Sequence, residues 1–446
     1  MGKQRDKGLP PEVTKLPQPL IITQERYYKL ITPLFGGGAV TGEPDAVTVV
    51  RGTEIRGHLR FWWRACFGGR YGDVKEMKAD EDRIWGAAAK SKSKKDGEEK
   101  ENVEEENIRK TTMQIIVEAL NLKDIKEEPP YKIEFEGGKG KVKSIHNIPG
   151  YAAFPFRPPQ KEVKNNPVIK PVFDNVSFLL TISFPAEVQK DIEGALWAWE
   201  TFGGIGARTR RGFGALHLIK IDGKENTDLP TTSNAVQWIQ EHIIALQTTS
   251  EPPVKGNAPK NVSCLSATMP LYAMKPSGNA KEAWNRSIRQ LLEFRQAPHG
   301  RTKRSKWPEA EAIRDLIGRR YYKSLSHPQR FPRAAFGLPI IFHFKDSGDG
   351  PDFDPHDSTL QGTEEGHDRL ASPLILRPLL CNNNYAVGIA VVLKNAFLPD
   401  ELLLKEEDGK SYQVKPHIDP QEAVRVEPLK GQTDVLEAFM NYLEGK

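Results

Sequence analysis

The chain has 446 residues, 38% of them hydrophobic, and a net charge of +5 at pH 7. That supports a core in two large domains or three smaller ones, and excludes wholesale disorder. No run of 18 apolar residues occurs, and Cys66, Cys264 and Cys381 lie too far apart for a disulfide framework or a zinc site, which excludes a membrane span and a metal-stapled fold.

In chain order, the opening MGKQRDKGLPPEVTKLPQPL is charged and Pro-rich, with no apolar signal core, so a cytoplasmic location is expected. YYKLITPLF (27–35) reads as a strand ending at the Gly-Gly-Gly turn 36–38. After Thr53, the residues Ile55, Leu59, Trp62 and Cys66 recur at helical spacing. Residues 90–110 carry seven positive and seven negative charges and read as a solvated insertion with no function. VSFLLTISF (176–184) is a strand stopped by Pro185, 187–202 a helix and ALHLIKI (215–221) a strand. This alternation is that of an α+β, ferredoxin-like unit. QTTSEPPVKGNAPKN (247–261) reads as a linker. Beyond it we expect strands at 264–274, 336–344 and 385–393, and helices at 281–294 and 434–443.

Charge is unevenly spread. Residues 51–70 hold five arginines against Glu54 alone, 201–217 hold Arg208, Arg210 and Arg211 with no acid, and 286–333 hold thirteen Lys/Arg against four acids. Three basic blocks suggest a polyanionic partner. Residues 346–368 hold eight acids and no Lys or Arg. Asp346, Asp349, Asp352, Asp354, His356 and Asp357 superficially suggest a calcium loop, but Asp357 and Thr363 stand where an EF-hand needs Gly and Glu. A solvated acidic loop is expected there, and no metal.

The most specific segment is GGIGARTRRGFGAL (203–216), with five glycines and three arginines between helix and strand. Glycines such as Gly204, Gly206 and Gly212 let a backbone approach phosphate and leave amides free, and Arg208, Arg210 and Arg211 supply bidentate donors. Replacing these three arginines should weaken RNA binding and leave stability nearly unchanged. The segment is neither a P-loop nor a dinucleotide fingerprint. Ala215 and Leu218 stand where an RNA-recognition strand carries stacking aromatics. In EIRGHLRFWWR (54–64), Arg56, Arg60 and Arg64 lie four apart on one helix face, with Arg51 just before it. Such a stripe fits a phosphate backbone, with Phe61 or Trp63 placed to stack on a base. Trp62 is expected in the core, and His58 reads as structural or RNA-contacting.

IRGHLRFWWRACFGG, Ile84-Trp85-Gly86, YAAFPF (151–156), GGIGARTRRGFGAL, RAAFGLP (333–339) and RLASPL (369–374) together resemble the RAMP superfamily, specifically the first subunit of Cmr-type (type III-B) CRISPR effector complexes. The resemblance implies two ferredoxin-like (RRM-like) domains in tandem, with the glycine-rich loop in the first. These are placed at 20–247, with the charged insertion near 90–110, and at 262–446. It implies a non-catalytic subunit without cofactor, holding the 3′ part of the guide RNA and helping capture complementary target RNA. Partners would be guide and target RNA and other RAMP subunits, in antiviral defence. Within its motifs Arg333 and Arg369 join the arginines and glycines above as candidate RNA-binding residues. A metal-independent RAMP endoribonuclease is the alternative, but none of the ten histidines sits in a Tyr/Lys/Ser neighbourhood suited to it. A protein-only scaffold is the other.

Overall fold

The computed structural model describes residues 20–445, except 41, 88–112, 138, 146, 160–161, 251–252, 255–257, 300–303, 318–327, 345–346, 349, 351–352 and 364–367. The 90–110 stretch therefore lies outside the described residues, as do Asp346, Asp349 and Asp352.

The first half is built on five strands: β1 (Ile21–Leu30), β2 (Gln114–Leu120), β3 (Ser177–Pro185), β4 (Leu216–Ile221) and β5 (Lys224–Glu225). They lie in the order β2–β3–β1–β4–β5, each neighbour antiparallel. In β3 every second residue, Phe178, Leu180, Ile182 and Phe184, is fully buried. That period of two puts one face of the strand into the core. α1 (Gly52–Phe67) follows β1, and α3 (Gln189–Phe202) follows β3. Ile55, Leu59, Trp62 and Cys66 of α1 form one apolar cluster with Ile192, Leu196 and Trp199 of α3 and the sheet's inner residues. Between them comes α2 (Val74–Trp85), whose N-terminus is capped by the Asp73 carboxylate accepting from the Lys75 and Glu76 amides. α4 (Ala235–Thr248) closes this half.

The second half has a three-stranded and a four-stranded sheet, besides the short pair of Pro298–His299 with Arg304–Ser305. β6 (Leu271–Ala273), β9 (Leu374–Leu380) and β10 (Ala386–Val392) form one in the order β6–β10–β9. β7 (Ile340–Phe342), β8 (Ser358–Gln361), β11 (Leu402–Glu406) and β12 (Ser411–Val414) form the other, in sequential order. α5 (Ala280–Gln296), α6 (Glu309–Ile317) and α7 (Val435–Leu443) complete the half. The expected strand at 264–274 shrinks to three residues. The one at 336–344 shrinks likewise, because Pro332–Phe336 forms a 3₁₀ turn and Gly337, at φ 108°, breaks the extended run.

The apolar clusters cross the expected linker. Ile375, Val387, Ile389 and Val391 of β9 and β10 join the first half's core. Phe35 and Phe213 of the first half join Trp284, Phe294 and Phe439 of the second. The fold is a mixed α+β structure whose halves share their interiors. No helix among the described residues is long and apolar enough to cross a membrane.

Candidate nucleic-acid interface

The arginine stripe of α1 lies where periodicity puts it, but its side chains are engaged. Arg60 Nε donates to Glu81 at 2.6 Å and Arg64 Nη1 to the same carboxylate oxygen at 2.5 Å. Arg60 also reaches Asp82 at 3.2 Å and the Gly86 carbonyl. Arg56 donates to the Trp85 carbonyl at 2.8 Å. Glu81 is itself buried, so α2 turns its acids toward the stripe and neutralises much of it. Trp63 cannot serve as a stacking platform: it is fully buried, and its indole donates to Asp191 at 2.7 Å. Phe61 remains half-buried, with the Arg210 guanidinium 5.1 Å from its ring centre. Arg51 precedes α1, and its Nε is buried without a described partner. His58 lies 3.5 Å from Glu54.

The glycine-rich loop leaves α3 and turns back into β4. Its amides are largely committed to the protein. Gly206 N–H donates to the Glu54 carboxylate at 2.6 Å, Ala207 N–H to the Phe35 carbonyl at 2.6 Å and Gly212 N–H to Thr209 at 2.9 Å. The glycines serve close approach instead. At Gly206, with φ 85°, a Cβ would stand 2.3 Å from the Phe35 carbonyl oxygen. At Gly212, with φ 81°, it would stand 2.6 Å from the Trp284 indole. Gly204 bridges to Ala215 and is crowded by the Gly214 carbonyl.

The loop's arginines divide into two kinds. Arg211 donates to the Leu374 carbonyl at 2.8 Å, the Phe336 carbonyl at 3.1 Å and the Ser372 hydroxyl at 3.0 Å. Arg210 donates to the Ser372 carbonyl. Both therefore bind the loop to the second half of the chain. Burial pulls Arg211 down to about 9, with the charges of Arg208 and Arg295 adding to it, and burial alone pulls Arg210 down to about 10. The Arg208 side chain makes neither a hydrogen bond nor an ion pair among the described residues, and its Nε is buried. It holds a left-handed backbone, φ 58° and ψ 26°.

Arg333 forms an ion pair with the buried Glu309 at 3.1 Å and donates to the Arg295 carbonyl at 3.1 Å. Arg369 is exposed on the loop before β9. The acidic loop is less solvated than expected. Asp354 is buried and accepts from Arg314 Nε at 2.9 Å. The described residues hold no group of three acids, His or Cys able to ligate a metal.

Sequence reasoning missed two arginines. Arg377 is fully buried in β9 and donates to the carbonyls of Glu200, Gly203 and Leu216. Arg295 ends α5 beside Arg208, with its Nε buried and unpartnered. A lone arginine in an apolar strand was the available signal for the first; Arg295 gave none beyond the basic block around it.

The sequence model of the RAMP superfamily matches residues 27–217, which hold the stripe and the whole glycine-rich loop. Over those residues the chain is similar to the RAMP superfamily. The chain is 24% identical over 261 residues to the CRISPR system Cmr subunit Cmr1-1 of Pyrococcus furiosus, an alignment covering 55% of this chain and 66% of that protein. The crystal structure of apo Cmr1 from the same organism superposes with a TM-score of 0.46 at 16% identity, over 85% of this chain and 90% of that one. A chain from the cryo-EM structure of the type III-B Cmr-beta complex bound to cognate target RNA gives a TM-score of 0.46 at 15% identity, over 94% and 99%.

Proposed function

We propose that this chain is a non-catalytic, RNA-binding subunit of a type III-B CRISPR ribonucleoprotein in the cytoplasm. It holds the 3′ part of the guide RNA, helps capture complementary target RNA and docks on other RAMP subunits. The observation that carries this reading is the convergence of the RAMP segment's loop and the end of α5 on Phe336, whose carbonyl accepts from Arg211 and whose ring lies 5.3 Å from the Arg295 guanidinium, with the Nε atoms of Arg208 and Arg295 buried without a described partner. Uncompensated guanidinium groups at a partly open junction suit a polyanion. Similarity to a CRISPR Cmr subunit supports reading that polyanion as RNA.

The architecture supports the same reading. The chain order β1–α1–β2–β3–α3–β4 with sheet order β2–β3–β1–β4 fits a ferredoxin-like unit over 20–247. In 262–446, β6–α5–β9–β10 with sheet order β6–β10–β9 repeats the first three strands of that plan. Catalysis by histidine has little support: His58 faces Glu54, His242 faces Asp228 and His343 faces Asp357, on separate elements.

The test is a titration of labelled single-stranded RNA with the purified chain in EDTA. We expect retention without cutting, weakening by about 0.7 log units per log unit of salt for each phosphate contact. A discrete cut, or binding indifferent to salt, would refute the proposal.

A further inference from the structure

We propose that Arg208 and Arg295 together seat one phosphodiester of single-stranded RNA across the junction of the two halves. This deepens the RNA-binding reading and rests on it. The two residues come from opposite halves, one from the glycine-rich loop and one from the last turn of α5. Each has its Nε buried with no partner among the described residues. The loop and the helix end meet at Phe336: Arg211, three residues after Arg208, donates to its carbonyl at 3.1 Å, and its ring centre lies 5.3 Å from the Arg295 guanidinium. Burial holds both Arg208 and Arg295 below their usual range.

The surroundings offset these charges only in part. Arg211, the third positive group of the cluster, spends its donors on carbonyls and a hydroxyl. Glu309, the one acid that acts on Arg295, is ion-paired with Arg333 at 3.1 Å. The phenols of Tyr151 and Tyr131 also act on Arg208. The Arg295 guanidinium lies 5.9 Å from the Tyr151 ring centre and 5.3 Å from that of Phe336. At these distances the aromatic rings hold the cation in place, and a guanidinium so held can grip phosphate oxygens.

The neighbourhood favours a nucleic-acid phosphate over a free one. Arg157 is exposed and acts on Tyr131, as Arg208 does. Close before it, Phe154 exposes 43% of its surface, next to the His343 ring. A further charge acting on Tyr131 and an exposed aromatic three residues before that charge fit a chain of nucleotides, whose bases stack while their phosphates pair.

The test compares wild type with Arg208→Gly, Arg295→Met and the double variant in the full chain. Glycine suits the φ of 58° at 208, and methionine keeps an apolar stem against Tyr151 and Phe336. Lys220→Ala, on an exposed ion pair with Glu225, controls for charge loss. We expect each single variant to lose about tenfold in affinity for labelled oligouridylate, and the salt slope to fall by about 0.7. The double variant should lose little more than either single one, because both grip the same phosphate. Multiplicative losses with twice the slope change, or an Arg295→Met variant behaving like Lys220→Ala, would overturn the shared seat. Inorganic phosphate supplies an independent readout: it should raise the melting temperature of wild type and not of the double variant. If wild type bound no RNA, the proposed function would fail. The seat itself would stand with this phosphate effect, then as a site for free phosphate, and would fall without it.

Discussion

Arg377 of β9 donates to the carbonyl of Gly203 at 2.9 Å, joining the second half of the chain to the residue where α3 gives way to the glycine-rich loop. The same guanidinium reaches the Glu200 carbonyl at 2.7 Å and the Leu216 carbonyl at 2.8 Å. One side chain thus ties the end of α3 to the start of β4. A helix end leaves its last carbonyls without intrahelical partners, and here a buried cation meets them. The loop's conformation depends on a residue more than 150 positions away.

Arg377→Met should accordingly cost about 3–5 kcal/mol, since it strands several buried acceptors at once. Chemical denaturation measures it. A loss below about 1 kcal/mol would mean that water replaces the guanidinium there.

Arg210 and Arg211 should behave as structural ties. Their joint replacement by Ala is expected to lower the melting temperature clearly, because the Ser372, Leu374 and Phe336 carbonyls lose their donors. This reverses the expectation, drawn from the sequence, that removing the loop's arginines leaves stability nearly unchanged. An unaltered melting temperature would restore it.

The stripe on α1 should contribute more to stability than to RNA affinity. Glu81→Ala leaves Arg60 and Arg64 without their shared carboxylate, and about 1–3 kcal/mol should be lost, less than for a fully buried pair because both arginines stay partly hydrated. Arg60→Ala with Arg64→Ala should change RNA affinity less than about threefold, under about 0.7 kcal/mol. A drop beyond tenfold would return the stripe to the interface.

Gly206→Ala should destabilise by about 2–4 kcal/mol, from a positive φ combined with a Cβ pressed on the Phe35 carbonyl. Gly57→Ala, with open space around it on α1, serves as the comparison and should be neutral or slightly stabilising.

His217, half-buried in β4, has its pKa lowered by burial and then by the charges of Arg377 and Lys29. The folded state therefore binds its proton less readily than the unfolded state does. Stability from this residue is full above the unfolded value of 6.5 and is lost as the pH falls below it. Melting temperature against pH should decline on that acid side in wild type and less steeply in His217→Gln. Parallel curves would remove His217 from the account.

Local pattern determined much of this chain by itself. The spacing of Ile55, Leu59, Trp62 and Cys66 predicts the buried face of α1, and VSFLLTISF predicts β3 to within a residue, because helical and strand periods are written over a few neighbouring positions. The glycines of 203–214 signal close backbone approach, but the approach expected from the sequence is to phosphate, and in the fold it is made to Phe35 and Trp284. β2, α2, α4 and the hairpin of Tyr131–Glu136 with Lys139–Ser144 went unread, their polar or mixed composition carrying no clean period. What the arginines do was decided only by the tertiary structure. Arg64 and Arg208 are chemically identical in the sequence, yet one meets Glu81 and the other has its Nε buried with no described partner. A guanidinium takes its role from whichever acceptor or charge lies within a few ångströms, and here folding brings that neighbour from another element or the other half of the chain.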